Sequence, residues 1–236
     1  MIGRSEGNER RSGEHERTGG FALARFEGWL LPKLAAALPE RVMPDHMTFL
    51  GLFASTGVGV AYLLSNQDLA WLWAASGFLV IQWYGDSLDG TLARYRKIER
   101  PRYGFYLDHL TDAYSTLVIG LGLGFSPVML LSVGLAISIA YLLLSVNVYL
   151  ETHVFGTFTL GHGTIGPTET RLILITLNTL AATLGPLPFA LFGVPFTAFD
   201  VVGLLAVGVM LSLLLSRAVG NLRTLAELEP PGVRKE

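Results

Sequence analysis

The chain has 236 residues, of which 51% are hydrophobic and 15% charged, with a formal net charge of -2 and a mean hydropathy of +0.48. A soluble domain carries about 25% charged residues, so this composition excludes an ordinary water-soluble enzyme, and the charge excludes a nucleic-acid binder held by basic residues. The lack of cysteine excludes disulfides, thiolate metal sites and cysteine nucleophiles.

In chain order, residues 1–20 are polar and rich in Gly, Arg and Glu, and are expected to be a disordered tail. Residues 21–38 set Phe21, Leu23, Phe26, Trp29, Leu30 and Leu34 among Arg25, Glu27 and Lys33. That is the pattern of an amphipathic helix lying in the membrane interface, with a solvent-exposed linker as the alternative. Six apolar runs follow, at 47–65, 69–85, 105–125, 127–150, 172–194 and 199–216. Each approaches the ~20 residues a spanning helix needs. Gly185-Pro186-Leu187-Pro188 interrupts the fifth, which is expected to end or kink near Leu184. Residues 221–236 read as a cytoplasmic tail, leaving one membrane catalytic domain over 21–220. The expected fold class is all-α: a polytopic integral membrane protein with six transmembrane helices and an N-terminal interfacial helix.

All 17 Lys and Arg fall at 4–41, 94–102, Arg171 and 217–235, whereas the loops at 66–68, 124–126 and 195–198 hold none. Six spans bring every basic region to one side, which the positive-inside rule makes cytoplasmic. The expectation is a multi-pass protein of the cell (inner or plasma) membrane, with both termini and the site cytoplasmic.

Four aspartates interrupt this apolar chain. Asp86 and Asp89 close the second run, and Asp108 and Asp112 open the third. Spacings of three and four residues set each pair on one helix face, ~60° and ~40° apart. A short basic loop joins the two helices, so the faces can meet. Single aspartates at helix ends reach water, but four on facing surfaces repel one another and need neutralising. Two divalent cations would do so, and all-oxygen ligation favours Mg²⁺, Mn²⁺ or Ca²⁺ over zinc. Such pairs clamp the attacking and leaving oxygens during displacement at phosphorus. Gly90 and Ala93 leave room for a ligand, Gly104 clears the approach to Asp108, and Arg94 can fork onto a phosphate.

The stretch from Asp86 to Asp112 reads D-S-L-D-G-T-L-A-R, nine residues, then G-F-Y-L-D-H-L-T-D. It resembles the signature of the CDP-alcohol phosphotransferase family, D-x2-D-G-x2-A-R-x8/9-G-x3-D-x3-D, at every fixed position. The resemblance implies an enzyme of phospholipid biosynthesis that moves a substituted phosphate from a CDP-alcohol to an acceptor alcohol and releases CMP. It implies Asp86, Asp89 and Asp108 as metal ligands, Asp112 as a ligand that can also serve as base, and two Mg²⁺ or Mn²⁺ ions. Gly90, Ala93 and Arg94 would receive the CDP group. Met43-Pro44-Asp45-His46-Met47-Thr48 is similar to the family's P-N-x-x-T, with Asp45 in place of Asn, and suggests Thr48 as a further CDP contact. A proline opening a helix explains the segment equally well.

The segment Glu151-Thr-His153-Val-Phe-Gly156-Thr-Phe-Thr-Leu160-Gly161, with Gly166-Pro167-Thr168-Glu169, is similar to the E-Y-H-T-G-T-L-Y-L-G and G-P-V-E of the choline/ethanolamine phosphotransferase branch. One residue is inserted before Gly156, and the branch's preceding Trp is absent. This resemblance implies His153 as general base with Glu151 orienting it, a CDP-choline or CDP-ethanolamine donor and a diacylglycerol-like acceptor. The alternative pairs a CDP-diacylglycerol donor with a small polar alcohol such as glycerol 3-phosphate, inositol phosphate or serine. Arg171 can reach the carboxylates, take a phosphate or extend to lipid headgroups. At least one substrate is a lipid, the bilayer is a partner, no nucleic acid polymer is, and a homodimer is expected. A cation-coupled transporter and an inactive membrane scaffold are the competing classes. Acids at one interface and the absence of repeats speak against the first, and four intact aspartates against the second.

Overall fold

The computed structural model describes residues 23–155, 166–191 and 193–230, and the expectations for residues 1–20, for Phe21, for Gly156, Leu160 and Gly161, and for residues 231–236 of the tail lie outside them. The described residues form seven helices and one short hairpin: α1 (Ala24–Ala37), α2 (Pro44–Leu64), α3 (Trp71–Arg96), α4 (Pro101–Gly124), α5 (Leu131–Phe155), α6 (Pro167–Leu184), β1 (Pro188–Leu191), β2 (Val194–Thr197) and α7 (Ala198–Leu228). The fold is all-helical apart from that hairpin, in which Pro188 pairs with Thr197 and Leu191 with Val194.

Three helices, α2, α5 and α7, are long and apolar enough to cross a membrane, with mean hydropathies of 1.7, 2.0 and 2.4. Helices α3, α4 and α6 carry the aspartates and Arg171, which dilute their apolar runs. Large apolar side chains face outward along the bundle, among them Phe49, Phe53, Leu205 and Leu215. Such a surface is incompatible with water and suits lipid. This is a membrane protein.

Several element ends differ from the apolar runs for identifiable reasons. Helix α6 stops at Leu184 because Gly185 adopts a positive φ of 80° and prolines follow. The rest of the fifth apolar run becomes the hairpin. Helix α7 continues beyond residue 216 to Leu228, since nothing breaks it before Pro230. Helix α3 likewise runs on to Arg96, so Asp86 and Asp89 lie within a helix instead of at its end.

Helix α2 is the hub: it packs most extensively on α3 and next on α4, while α5 joins α4 to α7 and α6 lies on α3. Small residues permit this closeness. A Cβ added to Gly85 of α3 would stand 2.6 Å from both the Gly51 nitrogen and the Met47 carbonyl oxygen of α2, and one added to Gly122 of α4 would stand 2.6 Å from Gly59 Cα. The apolar core fills the half of the bundle away from the aspartates, around Val58, Tyr62, Leu72, Leu79 and Val133. Its polar groups are satisfied: Tyr62 Oη donates to Asn178 Oδ1 (3.0 Å), and Asn178 Nδ2 donates to Ser76 Oγ (3.2 Å). Fully buried Asp200 accepts from the Leu130 and Thr197 backbone nitrogens at 2.7 Å each, binding the start of α7 to the loop before α5.

A smaller apolar cluster of Ala35, Met47, Leu88 and Leu92 seats α1 against α2 and α3 at the aspartate end. The Arg96 guanidinium donates to the carbonyls of Leu38, Pro39, Glu40 and Val42, fastening the α1–α2 connection to the end of α3.

The Gly85 contact generates a prediction. Gly85→Val drives side-chain atoms into the α2 backbone, which cannot yield as a flexible side chain can. It should destabilise by about 3 kcal/mol or more, at or above the top of the usual overpacking range. Gly77→Val, at a position where an added Cβ meets nothing within 4 Å, should leave the core packing intact. Thermal unfolding of the two variants in detergent checks this.

Candidate active site

Helix α2 packs on both α3 and α4, the helices that carry the two aspartate pairs. Asp86 and Asp89 line a small cleft together with Thr48 and Gly51 of α2, Gln82 of α3, and Thr111 and Ser115 of α4, and Asp112 follows Thr111 in the chain. Thr48 Oγ1 donates to Asp89 Oδ2 at 2.8 Å, and the Gly90 nitrogen donates to Asp89 Oδ1 at 2.5 Å. Beneath them Ser55 Oγ donates to Ser115 Oγ at 2.8 Å, tying α2 to α4. Thr48 thus meets the cluster through Asp89.

Arg171 supplies the opposing charge. From the first turns of α6 its Nη2 donates to Asp86 Oδ2 at 2.5 Å and its Nε to Gln82 Oε1 at 2.5 Å. Of the three roles open to Arg171 from sequence, the structure selects the reach to the carboxylates. Asp112 lies within electrostatic range of Asp86, Asp89, Asp108 and Arg171. Asp108 is the outermost, its side chain 49% exposed and 3.6 Å from His109 Nδ1. Gln82 was not singled out from sequence, although a buried amide between Ile81 and Trp83 in an apolar run was the available signal.

Among the described residues, no three carboxylate or imidazole groups converge tightly enough to enclose an ion unaided. The donor chemistry nevertheless fits hard divalent cations: the acids are all oxygen donors, four formal negative charges face one guanidinium, and the outer member opens to solvent. Substrate oxygens and water would complete such a shell.

The expected CDP wall lies on α3. A Cβ on Gly90 would stand 3.3 Å from Arg94 Nη1, so the glycine lets Arg94 lie back along its own helix, where Nη2 also donates to Thr91 Oγ1 at 3.2 Å. Ala93 is half-buried beside them. At Gly104 an added Cβ meets nothing within 4 Å, so the open approach to Asp108 does not depend on glycine there. Asp45 pairs with Arg100, whose guanidinium also lies 3.9 Å over the Tyr103 ring. The pair raises the Arg100 pKa further above its ordinary value. Pro44 opens α2, and His46 Nδ1 accepts from the Met43 nitrogen at 3.1 Å, so the segment before the first span is a helix start built from its own residues.

Glu151 and His153 part company. Two residues apart on α5, they are ~200° apart around the helix. Buried Glu151 turns to α7, where the Arg217 guanidinium binds both its oxygens, with Asn221 Nδ2 at 2.7 Å and Asn147 Nδ2 at 2.5 Å also donating. His153 is exposed, one turn beyond Tyr149 on the same face. The Tyr149 ring packs 4.4 Å from that of His109, the neighbour of Asp108.

A family model described as CDP-alcohol phosphatidyltransferase matches residues 41–218. The chain belongs to the CDP-alcohol phosphatidyltransferase family, whose members transfer substituted phosphate groups between a CDP-alcohol donor and an alcohol acceptor in phospholipid synthesis. Divalent-metal dependence is general in the family. A search of curated proteins gives no match. The matched stretch runs from just before α2 into α7 and leaves α1 outside.

Arg217→Met strands the buried Glu151 carboxylate and should lower stability by about 3 kcal/mol, the scale for breaking a buried pair from one side. Arg100→Ala, which removes an exposed partner, should leave the melting temperature unchanged. Denaturation of both variants in detergent distinguishes the two ion pairs.

Proposed function

We propose that this membrane protein uses Asp86, Asp89, Asp108 and Asp112 to hold two divalent cations while a substituted phosphate passes from a CDP-alcohol to an acceptor alcohol and CMP departs. The observation that carries this reading is the clustering of four carboxylates and one guanidinium at one end of an apolar bundle, with Asp86 and Asp89 lining a cleft there. Mg²⁺ or Mn²⁺ bound there would screen the pyrophosphate, polarise the phosphorus and stabilise the departing CMP. Gly90, Ala93 and Arg94 form the surface that receives the CDP group. Thr48 orients Asp89, and Arg171 fixes Asp86 while offsetting part of the charge.

For the acceptor, His153 is the proposed base. Its place one turn past Tyr149 supports this, because that face of α5 leads to the Asp108 side of the cleft. Glu151 serves differently from the sequence expectation: held by Arg217, it anchors the end of α5 against α7. The Glu151-to-Glu169 pattern supports a CDP-choline or CDP-ethanolamine donor with a diacylglycerol-like acceptor. The second reading, a CDP-diacylglycerol donor with a small polar alcohol, is favoured by the family's description as phosphatidyltransferases. CMP release from a panel of donors and acceptors separates them.

The same reading has helices α2 to α7 crossing the inner or plasma membrane with the aspartates at the cytoplasmic face. Helix α1 lies in the interface, supported by exposed Phe26 and Trp29 and by Lys33 Nζ 3.7 Å over the Trp29 ring. A cysteine placed at Gln67, in a chain without others, should react with an impermeant reagent on intact cells, and one at Ser12 should not. The reverse pattern inverts the orientation.

Chelation should abolish CMP release, and Asp89→Asn should cripple it, since the substitution keeps shape but removes a ligand charge. Full metal-free activity of that variant would dispose of the two-ion mechanism. His153→Ala should lower turnover by ~10²-fold, the usual scale of general-base loss, with donor affinity little changed. Near-normal turnover, alongside an inactive but metal-binding Asp112→Asn, would assign the base to Asp112.

A further inference from the structure

Helix α1 lies outside the stretch that matches the family, yet it is bonded to the helix that delivers Arg171. Two carboxylates make the connection. Glu27 Oε1, on α1, accepts from Trp83 Nε1 of α3 at 2.9 Å and from Thr168 Oγ1 of α6 at 2.5 Å. Glu169, on α6, accepts from the Leu23 nitrogen at the head of α1 (Oε1, 2.8 Å) and from the Gly166 nitrogen at its own helix start (Oε2, 2.9 Å). Arg171, within one turn of both Thr168 and Glu169, meets Gln82 and Asp86 on α3. Trp83 is the residue next to Gln82. One side of each bridge is therefore adjacent to the Arg171 contact, and the bonds close a loop through α1, α3 and α6.

The other end of α1 is fixed too, by Ala35 among Met47, Leu88 and Leu92 and by the Arg96 guanidinium on the carbonyls that follow α1. A helix anchored at both ends can hold a third element in place. The bonds to Thr168 and Glu169 fall on the first turn of α6, where helices fray most readily. A guanidinium at the end of a long side chain needs its backbone fixed to keep its two bonds, to buried Gln82 and part-buried Asp86.

We propose that α1 is a positioning strap for the site, and that Glu27, through Thr168, sets the first turn of α6 so that Arg171 stays on Asp86. Glu27 touches no reacting atom and acts through Arg171. This rests on the proposed function for its activity readout, and the hydrogen-exchange readout below does not.

The test uses the full chain in detergent or nanodiscs. Glu27→Ala should lower kcat for CMP release by ~10-fold and raise amide hydrogen exchange across residues 166–171. Glu27→Gln keeps an oxygen that accepts from both Trp83 and Thr168, and should restore both. In an Arg171→Gln background, Glu27→Ala should cost no further activity, because residues acting as one unit are non-additive. If Glu27→Ala does not fold, Thr168→Val, which removes only the α6 bond, takes its place in the same cycle. A full and independent loss on the Arg171→Gln background would overturn the strap, as would unchanged exchange at 166–171 in Glu27→Ala. Should no donor give CMP with the unmodified protein, the proposed function falls, and the exchange of Glu27→Ala against Glu27→Gln still decides whether α1 holds α6.

Discussion

Four carboxylates gathered at one end of an apolar bundle repel one another, and the surrounding low dielectric strengthens the repulsion by several-fold over water. The polar half of the molecule is arranged around that constraint. Helix α2 packs against both helices that carry the acids and offers Thr48 to Asp89. Arg171 arrives from α6 to meet Asp86, and Asp108 remains half-exposed at the mouth. What charge is left over is the attraction a divalent cation would feel.

The apolar half makes this arrangement possible by holding backbones too close for side chains to intervene. Gly85 lies against Gly51 and Met47 immediately before Asp86 in the chain, so the α2–α3 contact sets where Asp86 and Asp89 can be. Bonds from Tyr62 through Asn178 to Ser76 link α2, α6 and α3 in the interior, and Asp200 binds α7 to the α5 loop at the far end. These buried polar bonds fix helix registers that apolar packing alone leaves loose, because lipid and leucine compete equally for an apolar face.

The α3 and α5 sides of the aspartate end of the bundle are built differently. On the α3 side, Gly90 and Arg94 belong to the same helix as two of the acids. On the α5 side, the Glu151 interaction with Arg217 and Asn221 holds the helix end, while His153 points elsewhere. Several charged residues at the rim are committed to protein partners: Asp45 to Arg100, Arg96 to four carbonyls, Glu27 to Trp83 and Thr168.

The sequence by itself determined the membrane character, the helical elements, the carboxylate pairs on single helix faces and the family, because hydropathy, i to i+4 spacing and a contiguous motif are local properties of the chain. It also located the break at Leu184, where glycine and prolines act on their own backbone. Only the tertiary structure decided that Arg171 meets Asp86, that Asp45 meets Arg100, that Glu151 belongs to α7 and not to His153, and that Glu27 ties α1 to α6. Each of those pairings joins residues from different helices, or separates two from the same one, and depends on which face each helix turns to its neighbours. Helix α7 outran its apolar segment because no proline stands before Pro230, and the tertiary structure then set Arg217 and Asn221 of that extension on Glu151, 66 to 70 residues away in the chain.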